Sequence, residues 1–255
     1  MQSKEGVLVA SSYHIEYLLP WWWYHYHLHN RWPVAFVDLG MSKKARAFCE
    51  QKGELISFHH PVPEAGTKEK VDQSLATRWE KVHGSGLWQT RTEWFKKPFA
   101  LTLSPFEKTV WLDLDCEVRA GIEPLLTLCK HGIALTPEAE EYQEVFRQLG
   151  FCDPSETIYN SGVMPYLTKS PILSLWKEEV SHSSHKYLGD QDALSSLLYR
   201  EKVPFASMPY EMNWDRGHGP NPDALIFHWH GLPGKEILKE EILTLQQMGW
   251  IESLS

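Results

Sequence analysis

The 255-residue chain is 42% hydrophobic and 23% charged, which suits a single ordinary α/β domain covering residues 1–255. A formal net charge of −8 supplies no basic face, so a general nucleic-acid binder is excluded. No run of about 18 apolar residues appears, and no transmembrane segment is expected.

In chain order, Val7-Leu8-Val9-Ala10 predicts an apolar strand with Ser11 and Tyr13 just beyond its carboxyl end. Tyr13 there is either a ring lying against a nucleobase or a half-buried loop tyrosine. A helix follows over about 14–32, with Pro20 as a kink or a fresh start. It carries Trp21-Trp22-Trp23-Tyr24-His25-Tyr26-His27, and His29 lies four residues after His25. Without a His-Glu-x-x-His arrangement this stretch reads as a packing face rather than a soft-metal site. The alternative is an exposed aromatic patch, which leaves peripheral membrane or subunit contact open. A strand over 33–38, a helix over 43–52 capped by Ser42 and ended by Gly53, and a strand over 55–58 continue the βαβ rhythm of a parallel sheet. Residues 59–90, with Pro61, Pro63 and Gly84-Ser85-Gly86, predict an irregular excursion. A helix interrupted at Pro98 is expected over 92–103.

Val110-Trp111-Leu112-Asp113-Leu114-Asp115-Cys116-Glu117-Val118 then reads as one buried strand carrying two carboxylates. Ionised Asp is rarely buried without a partner, and ligands of open parallel sheets gather beyond the carboxyl ends of the strands. Alternation along a strand would put Asp113 and Asp115 on one side, where both reach a single hard cation, Mn²⁺ or Mg²⁺. Further on come a strand over 132–135 and an acidic, solvated helix over 138–149. A strand over 157–159 then leads into Asn160-Ser161-Gly162, and helices follow over 171–180 and 191–200. A strand over 225–231 holds His228-Trp229-His230-Gly231, and a terminal amphipathic helix is expected over 237–248. The four cysteines, Cys49, Cys116, Cys129 and Cys152, show no Cys-x-x-Cys spacing. With Glu5 near an N-terminus that lacks a long apolar core, they suggest a reduced, cytoplasmic setting and no signal peptide.

Two enzyme classes write an apolar strand followed by Asp-x-Asp. Metal-dependent phosphohydrolases of the haloacid dehalogenase type use the first Asp as a nucleophile, normally near the start of the chain. Nucleotide-sugar glycosyltransferases of the GT-A type place it after two strand–helix units, as here. Lys97-Pro98-Phe99-Ala100-Leu101, the Asp pair, Tyr159-Asn160-Ser161-Gly162-Val163, Gly189-Asp190-Gln191-Asp192 and His228-Trp229-His230-Gly231 with Lys235 occur in order. Together they resemble the retaining glycosyltransferases of family 8, over about 7–235. The resemblance implies a single-domain GT-A (Rossmann-like) α/β fold with a mostly parallel central sheet flanked by helices. It further implies transfer of a hexosyl group from a nucleoside diphosphate, by family UDP, to an acceptor hydroxyl on a glycan, lipid or protein.

By the same resemblance Asp113, Asp115 and His228 would bind the metal, with His230 as the fallback imidazole. Lys235 would contact the diphosphate, although it lies one residue later than usual and Glu236 replaces the usual proline. Lys97 would help to hold the donor, Asn160 and Asp190 would bind donor-sugar hydroxyls, and Gln191 would lie near the anomeric carbon. Ser11 and Tyr13 fall where the family holds its nucleoside. Asn160 also suits a turn, and Asp190 a helix cap, on local grounds alone. No residue is an evident covalent nucleophile, and the resemblance implies that the acceptor attacks from the leaving-group face with retention. A phosphohydrolase, and a relic that binds the donor without transferring it, are the alternatives.

Overall fold

In a computed structural model the chain is described over residues 4–60 and 68–254. Strand β1 (Glu5–Ser11) leads through a 3₁₀ turn into helix α1 (Leu19–His29), with Pro20 in its first turn, where a missing N–H costs nothing. Pro20 is thus a fresh start. Strand β2 (Val34–Asp38), helix α2 (Lys43–Lys52) and strand β3 (Glu54–Ser57) follow, and the Ser42 side chain accepts the Ala45 N–H as the expected cap. The stretch read as irregular holds two helices, α3 (Gln73–His83) and α4 (Leu87–Trp94). Asp72 caps α3, and Ala76 and Trp79 are buried. Pro61 and Pro63 lie outside the described residues. Helix α5 (Lys97–Leu101) precedes strands β4 (Lys108–Leu112) and β5 (Cys116–Val118).

The second half runs through helix α6 (Glu123–Leu128), strand β6 (Ala134–Pro137), helix α7 (Glu140–Gln148), and strands β7 (Tyr159–Asn160) and β8 (Val163–Leu167). Helices α8 (Pro171–Ser183) and α9 (Asp190–Glu201) follow, then the short strands β9 (Ala206–Ser207), β10 (Trp214–Asp215) and β11 (Ile226–His228). The last helix, α10 (Gly231–Gln247), starts earlier than its amphipathic pattern suggests.

Among the described residues the central sheet has the order β3-β2-β1-β4-β8, parallel except for β8. Alternation along its strands feeds two apolar layers. Val7, Val9, Val34, Phe36, Val110 and Leu112 face one way; Leu8, Ala10, Ala35, Val37 and Trp111 face the other. Both faces are covered by helices, which explains why these strands read as continuous apolar runs. The aromatic run of α1 serves the first layer: Trp21, Trp22 and Tyr26 are buried, and Trp22 stacks on Tyr26 with ring centroids 5.0 Å apart. His25 pairs with Glu241 at 3.2 Å. Trp23, Tyr24 and His27 line a surface cleft of about 400 Å³ with Trp250. No helix among the described residues is long and apolar enough to cross a bilayer.

One expectation fails at the centre. The run 110–118 is two strands in different sheets, because the chain turns at Asp113–Asp115, where Cys116 N–H closes onto Asp113 O at 3.0 Å. β5 then leaves the central sheet and pairs antiparallel with β11, with Cys116 opposite His228. Trp229 N–H donates to Asp115 O at 2.9 Å. Backbone pairing therefore carries the C-terminal histidine to the acidic turn.

Candidate active site

The turn lies at the carboxyl ends of β1 and β4, where Asn160-Ser161-Gly162 also enters the antiparallel β8. Since Asp113 and Asp115 lie in a turn, strand alternation does not aim them together; each carboxylate meets a different lysine. Asp113 accepts from Trp111 Nε1 at 2.7 Å and faces Lys97 Nζ, 3.0 Å from Oδ1 and 3.1 Å from Oδ2. Asp115 accepts from Lys235 Nζ at 2.6 Å through Oδ2 and lies 3.3 Å from His228 Nε2 through Oδ1. Burial opposes its ionisation, but Lys235 and then His228 outweigh it and hold the carboxyl well below its usual range.

The side chains of Asp115, Cys116 and His228 bring their donor atoms within 4.8 Å of one another. Burial, reinforced by Asp115 and Asp113, pushes the Cys116 thiol well above its usual range, so it stays protonated and its Sγ lies 3.7 Å from Gly162 O. Asp115 and His228 remain as ligands. An ionised carboxylate beside an imidazole suits a divalent ion of the Mn²⁺ or Mg²⁺ kind, and the buried Nδ1 of His228 has no hydrogen-bond partner in the protein. These residues fit such an ion. Asp113 lies outside the cluster, and Lys235 competes with an ion for Asp115. The fallback, His230, turns away and pairs with Asp215; that carboxylate outweighs burial and raises the imidazole pKa.

On the other flank Lys97, the first residue of α5, reaches the acidic turn, the bend before β8 and the start of α9. Its Nζ donates to Ser161 O at 3.1 Å and to Ser161 Oγ at 3.0 Å, and lies 3.6 Å from Asp190 Oδ2. Burial disfavours its charge, yet Asp113 and Asp190 raise its pKa overall. Ser161 Oγ in turn donates to Asp190 at 3.0 Å. Burial pushes the Asp190 carboxyl up against the opposing effect of Lys97. Asp190 is not the cap of α9: Gly189 holds that position, and Asp192 in the first turn accepts its N–H at 2.8 Å.

Asn160 is committed within the protein. Its Oδ1 accepts from Gly162 N–H at 2.8 Å and Asn213 Nδ2 at 3.0 Å, and its Nδ2 donates to Glu138 at 2.9 Å. Gln191 Nε2 donates to the same Glu138 oxygen at 2.9 Å. Ser11 is fully buried, whereas Tyr13, at the same end of the sheet, is 68% exposed.

Glu138, read from sequence as the start of a solvated helix, is instead 3% exposed and bonded to two candidate site residues. Its position directly after β6 was the available signal, by the strand-end rule applied to Asp113. Tyr17 also escaped notice; burial raises its phenol pKa, and Lys235 and Asp115 act on it. Gly162, part of the motif already noted, lies directly against the His228 ring.

No family model matches the sequence, and neither does any curated protein. Solved structures do match. Mouse xyloside xylosyltransferase 1 is similar at a TM-score of 0.53 and 17% identity, over 89% of this chain and 97% of that one. The galactosyltransferase LgtC, solved with donor and acceptor sugar analogues, gives a TM-score of 0.57 at 15% identity, over 92% and 94%. The glycosyltransferase GlyE of Streptococcus pneumoniae gives 0.57 at 16%, over 95% of this chain and 61% of that one. The fold is thus the GT-A fold expected from the sequence, a mostly parallel sheet flanked by helices.

Proposed function

We propose, from a GT-A fold whose sheet end gathers these groups, that the protein transfers a sugar from a nucleoside diphosphate to an acceptor hydroxyl. The observation that carries the reading is the convergence of His228 and Lys235 on Asp115, from opposite halves of the chain. Asp115 and His228 would hold the divalent ion, and Asp113, on the same turn but bound to Lys97 here, would be the further carboxylate. When bound, the ion stabilises the charge that builds on the departing diphosphate. Lys235, released from Asp115, donates to the diphosphate oxygens. Lys97 holds Asp113 and Asp190 in place. The Gln191 oxygen faces the anomeric carbon and stabilises its cation-like state. The acceptor hydroxyl attacks from the leaving-group side, and the departing phosphate oxygen takes its proton, which retains the anomeric configuration. The resemblance to family 8 supports UDP as the nucleotide, and Tyr13 is the exposed ring available to the base.

The test is a thermal-shift screen of UDP-, GDP- and ADP-sugars with and without Mn²⁺, followed by NMR of the product. At a hundredfold excess over Kd, stabilisation of about 2.7 kcal/mol raises the Tm by roughly 5–10 °C, and it should require nucleotide and metal together. No shift with any nucleotide sugar would overturn the reading. Binding without turnover would reveal a silent donor-binding protein, and an inverted product would overturn the retaining step.

A further inference from the structure

One carboxylate oxygen organises the polar layer behind Asp190. Glu138 follows β6 directly, and its backbone is held on both sides: its N–H donates to Ile158 O at 2.8 Å, and its carbonyl accepts from Gln143 Nε2 at 2.8 Å. Its side chain is buried, and Oε1 accepts from both Gln191 Nε2 and Asn160 Nδ2, each at 2.9 Å. Gly162 N–H fixes Asn160 with its NH₂ toward Oε1, so this oxygen is an acceptor, whereas an amide has a donor end and an acceptor end. Each amide is therefore turned with its NH₂ toward Glu138 and its oxygen away.

For Asn160 the orientation is doubly determined, because its oxygen takes two donors, Gly162 N–H and Asn213 Nδ2, that a flipped amide would not satisfy. Gln191 has no such second lock. The Tyr142 hydroxyl also meets its amide, but a hydroxyl both donates and accepts and so does not distinguish the two ends. Which end of Gln191 faces the site is decided by Glu138.

We infer that Glu138 is a positioning residue that, by accepting the Gln191 NH₂, presents the amide oxygen rather than the NH₂ to the anomeric carbon of the donor. The amide's orientation stands on the hydrogen bonds alone; what the oxygen faces rests on the transferase reading above. An oxygen there stabilises a cation-like carbon, and an NH₂ would destabilise it. Glu138→Gln keeps the volume but offers both a donor and an acceptor, so the Gln191 amide becomes free to flip.

The experiment has two arms on the full chain. In ¹⁵N-labelled protein the Gln191 side-chain amide is assigned by its loss in Gln191→Met. One of its protons should resonate downfield in the wild type and move upfield in Glu138→Gln; an unchanged resonance overturns the inference. In the kinetic arm Glu138→Gln should lower kcat for donor turnover about 100-fold and leave the donor KM within about threefold. Glu138→Gln placed on Gln191→Ala should cost little more than Gln191→Ala alone, because both act through one group. An unchanged kcat, or fully additive losses, overturns the positioning role. If the wild type turns over no nucleotide sugar, the transferase reading fails and takes the oxygen's target with it. The resonance arm still judges Glu138's hold on the amide.

Discussion

A β-carbon on Gly162 would overlap His228 Cε1 and stand 2.7 Å from Nδ1, so only hydrogen fits between this backbone and the imidazole. Gly162→Ala should push the ring off Asp115, weakening Mn²⁺ binding about 10- to 100-fold and costing about 1–3 kcal/mol of stability. A Mn²⁺ titration read by EPR and a urea melt check the two effects; unchanged affinity would remove His228 from the ligand set. Asp192 permits a pH test. Burial pushes its carboxyl up to about 8, and its Oδ1 has no partner. Folded protein keeps that proton while the unfolded chain releases it above about pH 4. The contribution is therefore present in acid and is lost as pH rises toward 8, by at most about 1.4 kcal/mol per unit. Asp192→Asn keeps the bond from Gly189 N–H and should remove that slope. Its stability advantage over the wild type should widen between pH 4 and 8 in urea melts, and parallel curves would contradict the assignment. At this scale the acids at 113 and 115 stood out because carboxylates at the end of an apolar strand need partners, whereas Lys97, Asp190 and His228 were singled out only by the resemblance to family 8. Glu138 was not, because Glu140, Glu141 and Glu144 follow it and the stretch reads as solvated.

Whole elements were legible where local chemistry marks their ends. Ser42 and Gly53 bracket α2, and Pro20 opens α1 within its first turn. The break between β4 and β5 carries no Gly or Pro; it exists because Cys116 pairs with His228 from a distant part of the chain, which no local pattern reveals. The start of α10 was hidden for the opposite reason. Gly231-Leu232-Pro233-Gly234 looks helix-breaking, yet a first turn tolerates Pro and the chain packs too tightly there for a side chain. A β-carbon at Gly234 would overlap the Trp229 carbonyl oxygen and lie 2.5 Å from its carbon. Gly234→Ala should shift the first turn of α10, draw Lys235 away from Asp115 and cost about 1–3 kcal/mol in a urea melt. A variant as stable as the wild type would show that this turn has room to move.

For the molecule as a whole, alternating apolar residues on β1, β2 and β4 build a sheet buried on both faces, which pushes polar chemistry to its carboxyl edge. There the second small sheet delivers His228, and α10 delivers Lys235, to the turn that closes β4. The sequence pattern carried the fold class because that pattern is periodic and local. It did not carry the way the two aspartates divide between Lys97 and Lys235, which depends on side chains meeting from distant segments. In the proposed transfer Asp115 holds a cation beneath a nucleoside diphosphate. Calorimetric titration of UDP into the wild type and into Asp115→Asn, each with Mn²⁺ and again with EDTA, tests it most directly. Binding should be at least about tenfold tighter with Mn²⁺ in the wild type, a gain that disappears in the variant. Equal affinity with Mn²⁺ and with EDTA in the wild type, or an undiminished gain in Asp115→Asn, would contradict it.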